Sequence, residues 1–462
     1  MGTGTDHSPL ASRSTGGSRL SFQAASCLVP TTVIPIGPDP LPRRIRLTDW
    51  TIGKGSNRNK SLFRLNIYRY SRGSDLLRAL RDTNDPRSDM TSALLEELRR
   101  FVDAELAAFR RDWPDVSTWE ARCAWQRRMA REGWAAPRWP VEYGGRGLGT
   151  LEAMAVEDVF AEKGCPVLPG MLGLKNVGPT LQAHGTDEQK RHLAAILSID
   201  EVWCQGFSEP GAGSDLAGLR TRAVRDGDDF VVNGQKIWTS NGIYATHMQL
   251  LVRTDPQAPK HRGISVLLVD MATPGVEVRP IRQINGGAEF AEVFFTDVRV
   301  PVANLLGPLN DGWRITMTTL GHERAGVATF AARLEQRTVD LLEANRADTR
   351  TEPLGPGLRD ELLDGYVDAR VLGLLGRQML ERLAGGQQPG PEQSVIKLVH
   401  SEVSQRVESV QMAIAGAAAV RGEDPAAAHA YLSARSATIA AGTTQIVKNI
   451  IAERVLALPR NG

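Results

Sequence analysis

The 462-residue sequence predicts an α+β fold in which helices, a compact β unit and further helices follow one another along the chain. Residues 92–198, and again those after Pro301, contain segments with apolar side chains at the helical period of 3.6 residues. The residues between them form short β-forming runs separated by turn signals. Strands this close together, without helical crossovers, favour an antiparallel sheet or barrel.

Four helices are predicted before the β unit, at residues 92–113, 119–132, 151–162 and 187–198. The first has its apolar residues close to the i, i+3, i+4, i+7 spacing of an amphipathic helix. The last follows the start signal Thr186-Asp187.

Five strands are predicted in the β unit, each a short run of β-branched and other apolar residues. They are Phe230–Val232, Met248–Thr254, Gly263–Asp270, Val276–Ile281 and Glu289–Phe295. Turn signals separate them, each a dipeptide that favours a chain reversal. These are Asp226-Gly227, Asn233-Gly234, Asn241-Gly242, Pro274-Gly275 and Gly286-Gly287.

The helical period returns in four segments, 311–345, 357–386, 392–421 and 443–457. We therefore expect a helical domain over 90–200, a β domain over 201–305 and a helical domain over 306–462. Residues 1–89 are rich in Ser, Gly, Arg and Pro and lack a sustained period. That composition indicates a disordered extension, or a translation start assigned too early with Met90 as the true start; a transit peptide is the alternative.

Composition narrows the class of protein. The net charge of +2 does not indicate nucleic acid or a membrane surface as a partner. The four cysteines are widely spaced without a CxxC pair, so they predict neither a disulfide framework nor a zinc site, and no metal is expected. The sequence contains no apolar run of membrane-spanning length and no secretory signal, which predicts a cytoplasmic protein.

Two segments contain candidate functional residues. The first, 205–215, reads QGFSEPGAGSD, a glycine-rich turn whose backbone N–H groups and Ser214 hydroxyl can approach an anion. It is not a GxGxxG fingerprint, and no strand–helix unit follows it, which argues against a Rossmann site. The second, 234–242, reads GQKIWTSNG; Trp238 beside Ser240 could pack on an aromatic ring while the hydroxyl binds its edge.

Together these segments resemble the acyl-CoA dehydrogenase family, and the similarity extends from about residue 92 to 460. It includes Gly312-Trp313, the Gly321–Gly326 segment and Ala441–Ile446. The resemblance implies an N-terminal helical domain, a middle antiparallel β domain and a C-terminal four-helix bundle, with FAD between them. It implies that the flavin contacts are made by Gln205, Gly206, Phe207, Ser208, Ser214, Trp238, Ser240, Gly442, Thr443 and Gln445.

The implied reaction is α,β-desaturation of an acyl-CoA thioester, in which a carboxylate removes the α-proton and the β-hydrogen leaves as hydride to flavin N5. Many family members place that carboxylate at the position of Ala441, which cannot take a proton. Another branch, which includes isovaleryl-CoA and actinobacterial steroid side-chain dehydrogenases, carries it on a helix directly before an arginine. Here Glu323 precedes Arg324, which predicts Glu323 as the base, with Arg324 shaping the site. Ala441 still supplies a backbone N–H for the thioester carbonyl.

Two motifs with which many tetrameric members bind a neighbour's FAD are not intact. The corresponding stretches are residues 346–350 and Gln411–Ala417. This leaves open a homotetramer or a heterotetramer with a sister subunit, with an electron-transfer flavoprotein as the expected electron acceptor. Two other functions also remain open: an acyl-CoA oxidase, and a non-catalytic FAD-binding subunit. Acyl-chain length is not determined by the sequence.

Overall fold

The computed structural model describes residues 86–324, 327–345, 354–385, 387, 390 and 393–459, without the side chains of 86–91, 322–324, 327–329 and 383–384. The expectations for residues 1–85 and for 346–350 lie outside this part. No helix in the described ranges has the length and apolarity needed to cross a membrane.

The N-terminal unit is helical, as predicted, and encloses a core that includes the indole rings of Trp125, Trp134 and Trp139. A π-helical turn over Gly173–Val177 precedes the fourth helix directly. The helices are α1 (Pro86–Asp112), α2 (Trp119–Arg131), α3 (Thr150–Glu162), α4 (Gly178–His184) and α5 (His192–Ser198).

The β unit is one eight-stranded sheet. Most neighbouring strands are antiparallel, as predicted, but β1 pairs parallel to β4, and β2 meets β4 in a short parallel pairing. The strands are β1 (Trp203–Gly206), β2 (Arg222–Asp226), β3 (Asp229–Ser240), β4 (His247–Arg253), β5 (Ile264–Asp270), β6 (Val276–Ile281), β7 (Phe290–Pro301) and β8 (Leu305–Leu306).

Two β-unit predictions are corrected. Asn233-Gly234 is not a turn between strands, because it lies inside β3 at a shift in register against β7. The strands β1, β2 and β8 were not predicted, since each is too short to show a clear alternation.

The C-terminal region is helical, but two predicted helices are interrupted. The third ends before Gly416, which has φ +57°, and the fourth becomes a π-helix at Ile451. The first predicted helix is described over 312–324 and 327–344, and residues 325–326 lie outside the described part. Pro425–Ala434 forms an additional, unpredicted helix. The helices are α6 (Gly312–Arg324), α7 (Val327–Ala344), α8 (Pro356–Ala384), α9 (Gln393–Ala415), α10 (Ala417–Val420), α11 (Pro425–Ala434) and α12 (Thr444–Ile450).

Gly234 provides a test of the bulge in β3. A Cβ at this residue would lie 2.7 Å from the Thr221 Cα, so both backbones would have to move. We expect Gly234→Ala to lower the free energy of unfolding by roughly 3 kcal/mol in urea denaturation of the purified protein.

The matched control is Gly227→Ala in the turn between β2 and β3. Gly227 has φ +64°, but a Cβ there would meet nothing within 4 Å. Gly227→Ala should therefore lower the free energy of unfolding only by the cost of a left-handed alanine, about 1 kcal/mol. Equal losses for the two variants would contradict the steric explanation.

Candidate functional site

The two glycine-containing segments lie side by side. β1 ends at Gly206, and Phe207 and Ser208 follow in a loop that runs beside the end of β3. The Ile237 backbone N–H donates to the Ser208 carbonyl at 2.9 Å. The structure therefore brings together two segments that are about 30 residues apart in the sequence.

A buried ion pair holds the two segments together. The Lys236 ammonium donates to the Phe207 carbonyl at 3.0 Å and to Glu209 Oε1 at 2.8 Å. The Glu209 carboxylate also accepts from the backbone N–H groups of Arg220, at 2.7 Å, and Thr221, at 2.8 Å. The Lys236 side chain is fully buried and that of Glu209 is 9% exposed, so the pair is almost entirely removed from water.

The pKa values of the pair follow from burial and mutual attraction. Burial lowers the pKa of Lys236 to about 8, although Glu209 opposes the shift. Burial alone would raise the pKa of Glu209, but the charge and hydrogen bonds of Lys236 and Thr221 outweigh it and hold that pKa below its usual value. The carboxylate is therefore charged at neutral pH.

The end of β3 departs from regular strand geometry at Trp238. This residue has φ +61°, in the left-handed region, and its ring is 56% exposed beside Phe290. The register against β7 shifts between Lys236 and Thr239, as expected for a bulge that redirects a side chain. A strained, exposed Trp next to the half-buried Ser240 fits the predicted contact with a flat ring.

The glycine-rich turn leaves room for a ligand beside its backbone and carries little unpaired negative charge. A Cβ at Gly211 or Gly213 would meet no atom within 4 Å, so the backbone is accessible there. Ser214 is exposed. The two carboxylates of the turn are both paired, Glu209 with Lys236 and Asp215 with Lys260 at 2.7 Å.

A buried polar chain connects β1 with α6, and sequence reasoning did not detect it. Gln205 donates to Gln249 at 3.5 Å, and Gln249 donates to the Thr319 hydroxyl at 3.2 Å. That hydroxyl is also 2.9 Å from the Thr180 hydroxyl. The two threonines that share the buried face of α6 with Ile315, Thr316 and Thr319, were the available signal.

Glu323 and Arg324 form the end of α6, one turn beyond Thr319. Their side chains lie outside the described part of the chain. Residues four apart lie on the same face of a helix, so Glu323 shares the face that Thr319 presents to Gln249.

The third segment, Ala441–Ile446, is positioned by α9. Lys397 donates to the Ala437 carbonyl at 2.8 Å, and Gln405 to the Thr438 hydroxyl at 3.0 Å. Thr443 begins α12, accepting from the Ile446 N–H at 3.3 Å, and Gln445 is exposed in its first turn. Among the described residues, no hydrogen bond joins this segment to the other two.

Ala441 and Gly442 have consecutive positive φ angles of +54° and +98°. A left-handed alanine costs about 1–2 kcal/mol, and such strain is often found at functional sites. The same segment contains an unsatisfied group, because the Thr444 hydroxyl is buried without a partner in the described structure.

The residues present suit a flavin dinucleotide. Thr239 and Thr444 each have a buried hydroxyl without a partner in the described structure. The remaining donors are hydroxyls, an indole and accessible backbone N–H groups. The nearby carboxylates are neutralised by lysines. This donor set is suited to a neutral heterocycle and a pyrophosphate, and the same contacts cannot provide the ligand cage of a metal.

Breaking the Lys236–Glu209 pair should destabilise the protein. Glu209→Gln leaves a buried ammonium without its counter-ion, so we expect a loss of about 3–5 kcal/mol in the free energy of unfolding. In the unaltered protein, the stabilisation from Glu209 should be present above pH 4.5 and be lost as the pH falls through its lowered pKa. Urea denaturation at several pH values measures both effects.

The control is Glu277→Gln, which removes the carboxylate of an exposed pair with Arg279. That variant should unfold like the unaltered protein, since exposed pairs contribute little. A Glu209→Gln protein as stable as this control would contradict the role of the buried pair.

Comparisons with known proteins identify the family to which the chain is similar. Three family models match: the acyl-CoA dehydrogenase N-terminal domain over 88–198, the middle domain over 204–298 and the C-terminal domain over 310–456. The acyl-CoA dehydrogenase IpdE1 of Mycobacterium tuberculosis is 40% identical over 348 residues, which is 74% of this chain and 89% of that protein.

Solved structures give the same result. The Tcur3481-Tcur3483 steroid ACAD matches with a TM-score of 0.69 and 32% identity, over 82% of this chain and 99% of that one. The ChsE4-ChsE5 complex from Mycobacterium tuberculosis matches with a TM-score of 0.64 and 33% identity, over 82% of this chain and 100% of that one. The predicted fold and enzyme class are confirmed, and the chain belongs to the acyl-CoA dehydrogenase family.

Proposed function

We propose that this chain catalyses FAD-dependent α,β-dehydrogenation of an acyl-CoA thioester, with Glu323 as the base that removes the α-proton. The observation that carries the proposal is the polar chain from Thr319 through Gln249 to Gln205. It orients one face of α6 towards Gln249 on β4, which contacts Gln205 on β1 just before the glycine-rich turn, and Glu323 lies on that face. Bound flavin would supply the acceptor for the β-hydrogen.

The cofactor would be held by the residues predicted from the sequence. Gln205, Gly206, Phe207 and Ser208 would line the flavin ring, with Trp238 and Ser240 on its other side. Ser214 would bind the pyrophosphate through its exposed hydroxyl. Gly442, Thr443 and Gln445 would complete the site from the C-terminal region, with the N–H groups at the start of α12 near the cofactor.

Substrate activation depends on two groups of the chain. The Glu323 carboxylate takes the proton from the α-carbon, and the Ala441 backbone N–H donates to the thioester carbonyl, where negative charge develops. The paired left-handed angles at Ala441 and Gly442 support this role, because they hold the local backbone in an uncommon orientation. Arg324, next to the base, shapes the same pocket.

Glu323→Gln tests the base. The amide has the same shape but cannot accept the α-proton, so we expect the rate of flavin bleaching by acyl-CoA to fall roughly 100- to 10,000-fold with FAD content unchanged. Anaerobic stopped-flow absorbance measures the bleaching. Glu343→Gln, an exposed glutamate on α7, serves as the control and should react normally.

Unchanged bleaching in Glu323→Gln would place the base elsewhere. Adding Ala441→Glu to that variant makes the test sharper, because it puts a carboxylate where many relatives carry it. Partial recovery of activity in the double variant would confirm that the first loss was chemical. Peroxide assays during turnover distinguish a dehydrogenase, which passes electrons to an electron-transfer flavoprotein, from an oxidase.

For the substrate, we propose the CoA thioester of a steroid side chain. The support is the 32% identity with a steroid ACAD over nearly the whole length of that structure. A panel of short, branched, long-chain and steroid acyl-CoAs tests this by kcat/KM. A preference for straight-chain substrates would refute the steroid assignment and leave the dehydrogenation intact.

A partner subunit is supported by an apolar stripe on α8. The stripe follows one helical face and remains exposed in the described chain. Exposed apolar surface of this kind marks an interaction site. Its members are Leu363, Val367, Val371, Leu374 and Leu375.

A second feature supports an assembly in which subunits share a cofactor. The Gln411 side-chain amide oxygen, Oε1, is buried and has no partner in the described structure, and the residue lines a cavity of about 440 Å³ with Arg337 and Asp424. Gln411 occupies the glutamine position of a motif that in many relatives reaches a neighbour's FAD, although the rest of that motif is not intact here. We propose that the complete enzyme is a homotetramer, or a heterotetramer with a sister chain.

Val371→Glu should disrupt this assembly, because it places a charge in the centre of the stripe. We expect a smaller particle in light scattering and loss of bound FAD. Val224→Glu, at a similarly exposed valine on β2, should leave both unchanged. An unaltered mass for Val371→Glu would exclude the stripe as the interface.

A further inference from the structure

His192, Glu201 and His247 meet where α5 begins and where β1 and β4 begin. His192 Nδ1 lies 2.9 Å from both Glu201 carboxylate oxygens, and His247 Nε2 lies 4.0 Å from Oε1. One ligand atom from each of the three side chains lies within 4.8 Å of the others. Among the described residues, this is the one group of His, Cys, Asp or Glu side chains that meets this condition.

The carboxylate of this His–Glu–His cluster is oriented by a buried neighbour. The Trp203 indole N–H donates to Glu201 Oε2 at 2.9 Å. This leaves Oε1 directed towards the two histidines. The Trp203 ring also stacks on His247 at a centroid distance of 5.0 Å, which restricts that imidazole.

Thr246 holds the other side of His247. Its hydroxyl lies 3.0 Å from His247 Nδ1 and 3.2 Å from the Val202 carbonyl, and it accepts from the Val202 backbone N–H at 3.0 Å. The second ring nitrogen, Nε2, faces Glu201 Oε1 at 4.0 Å. That separation is too long for a direct hydrogen bond and leaves room for an ion shared by the imidazole and the carboxylate.

We propose that His192, Glu201 and His247 bind one divalent transition-metal ion, with Zn²⁺ as the best-suited ion. Two imidazoles and one carboxylate are typical ligands of Zn²⁺ and its neighbours, whereas Mg²⁺ and Ca²⁺ prefer oxygen alone. Bonds of about 2.0–2.2 Å require His247 to move towards Glu201 by roughly 1 Å. The three side chains are 19–30% exposed, so an ion can enter from solvent and water can complete its coordination.

The ion would serve as a structural anchor at a distance from the proposed reaction. β1 and β4 pair in parallel from Trp203–His247 to Gly206–Leu250, and Gln205 pairs with Gln249 between these ends. The cluster therefore joins α5 to the starts of two strands, and the polar chain lies further along the same strands. Metal binding is independent of the dehydrogenation and can be tested separately.

The test uses purified FAD-containing protein that has been treated with a chelator and dialysed. Isothermal titration with ZnSO₄ should show one ion bound per chain, and bound Zn²⁺ should raise the thermal midpoint of unfolding. Co²⁺ titration followed by visible absorption reports nitrogen and oxygen coordination. Failure to bind one ion per chain would overturn the proposal.

Glu201→Gln assigns the site, because the amide oxygen still accepts from the Trp203 N–H but the ligand charge is lost. We expect Zn²⁺ affinity to fall at least about tenfold, as it does when metal-site residues are altered. His247→Asn should weaken binding similarly, with FAD content and far-UV dichroism as folding controls. His429→Ala, at an exposed histidine on α11, should bind Zn²⁺ normally. Unchanged affinity in Glu201→Gln would overturn the assignment.

Discussion

The buried pair of Lys236 and Glu209 is the interaction on which the candidate site depends. A charged pair in the interior is a weak source of net stability, because the cost of removing both groups from water offsets their attraction. The pair instead selects one conformation of the loop at the candidate site. The Lys236 ammonium donates to both the Phe207 carbonyl and the Glu209 carboxylate, and that carboxylate also accepts from two backbone N–H groups. Only one arrangement of the loop against β3 satisfies all of these buried groups.

The site is assembled from segments distant in sequence, and different forces position each of them. The buried pair fixes the glycine-rich turn against β3. The chain of Gln205, Gln249 and Thr319 connects β1 and β4 to α6 through uncharged hydrogen bonds. The third segment depends on α9, whose Lys397 and Gln405 hold the residues before Ala441. Movement of α9 would therefore act first on the third segment, whereas the glycine-rich turn is held by contacts within the sheet.

Much of the fold could be predicted from the sequence, because the helical period and the closely spaced β runs are strong local signals. Asn233-Gly234 was misread, since the same dipeptide suits a turn or a bulge and only the pairing of β3 with β7 decides between them. The helix α11 was missed because its alanines show no apolar period. Asp424, which caps it, and Pro425 in its first turn were usable signals.

The motif residues of the site were recognisable, whereas the groups that support them were not. Lys236 looks like an ordinary strand charge in the sequence, and nothing local indicates that it is buried against Glu209, 27 residues away. Gln249 and Thr319 are buried polar residues on different elements, so their partners depend on tertiary packing. The His–Glu–His cluster could not be recognised either, because the parallel pairing of β1 with β4 brings together residues that form no spacing motif in the sequence.

The apolar stripe on α8 has a consequence for how much of this protein a cell can maintain. A chain that exposes several aliphatic side chains along one helix is prone to self-association until another surface covers them. Its folded amount is then linked by mass action to the supply of the covering subunit. Synthesis in excess of that subunit would yield protein for chaperones and proteases to remove. In a heterotetramer, balanced production of the two chains would therefore set the abundance of the enzyme more strongly than the stability of either fold.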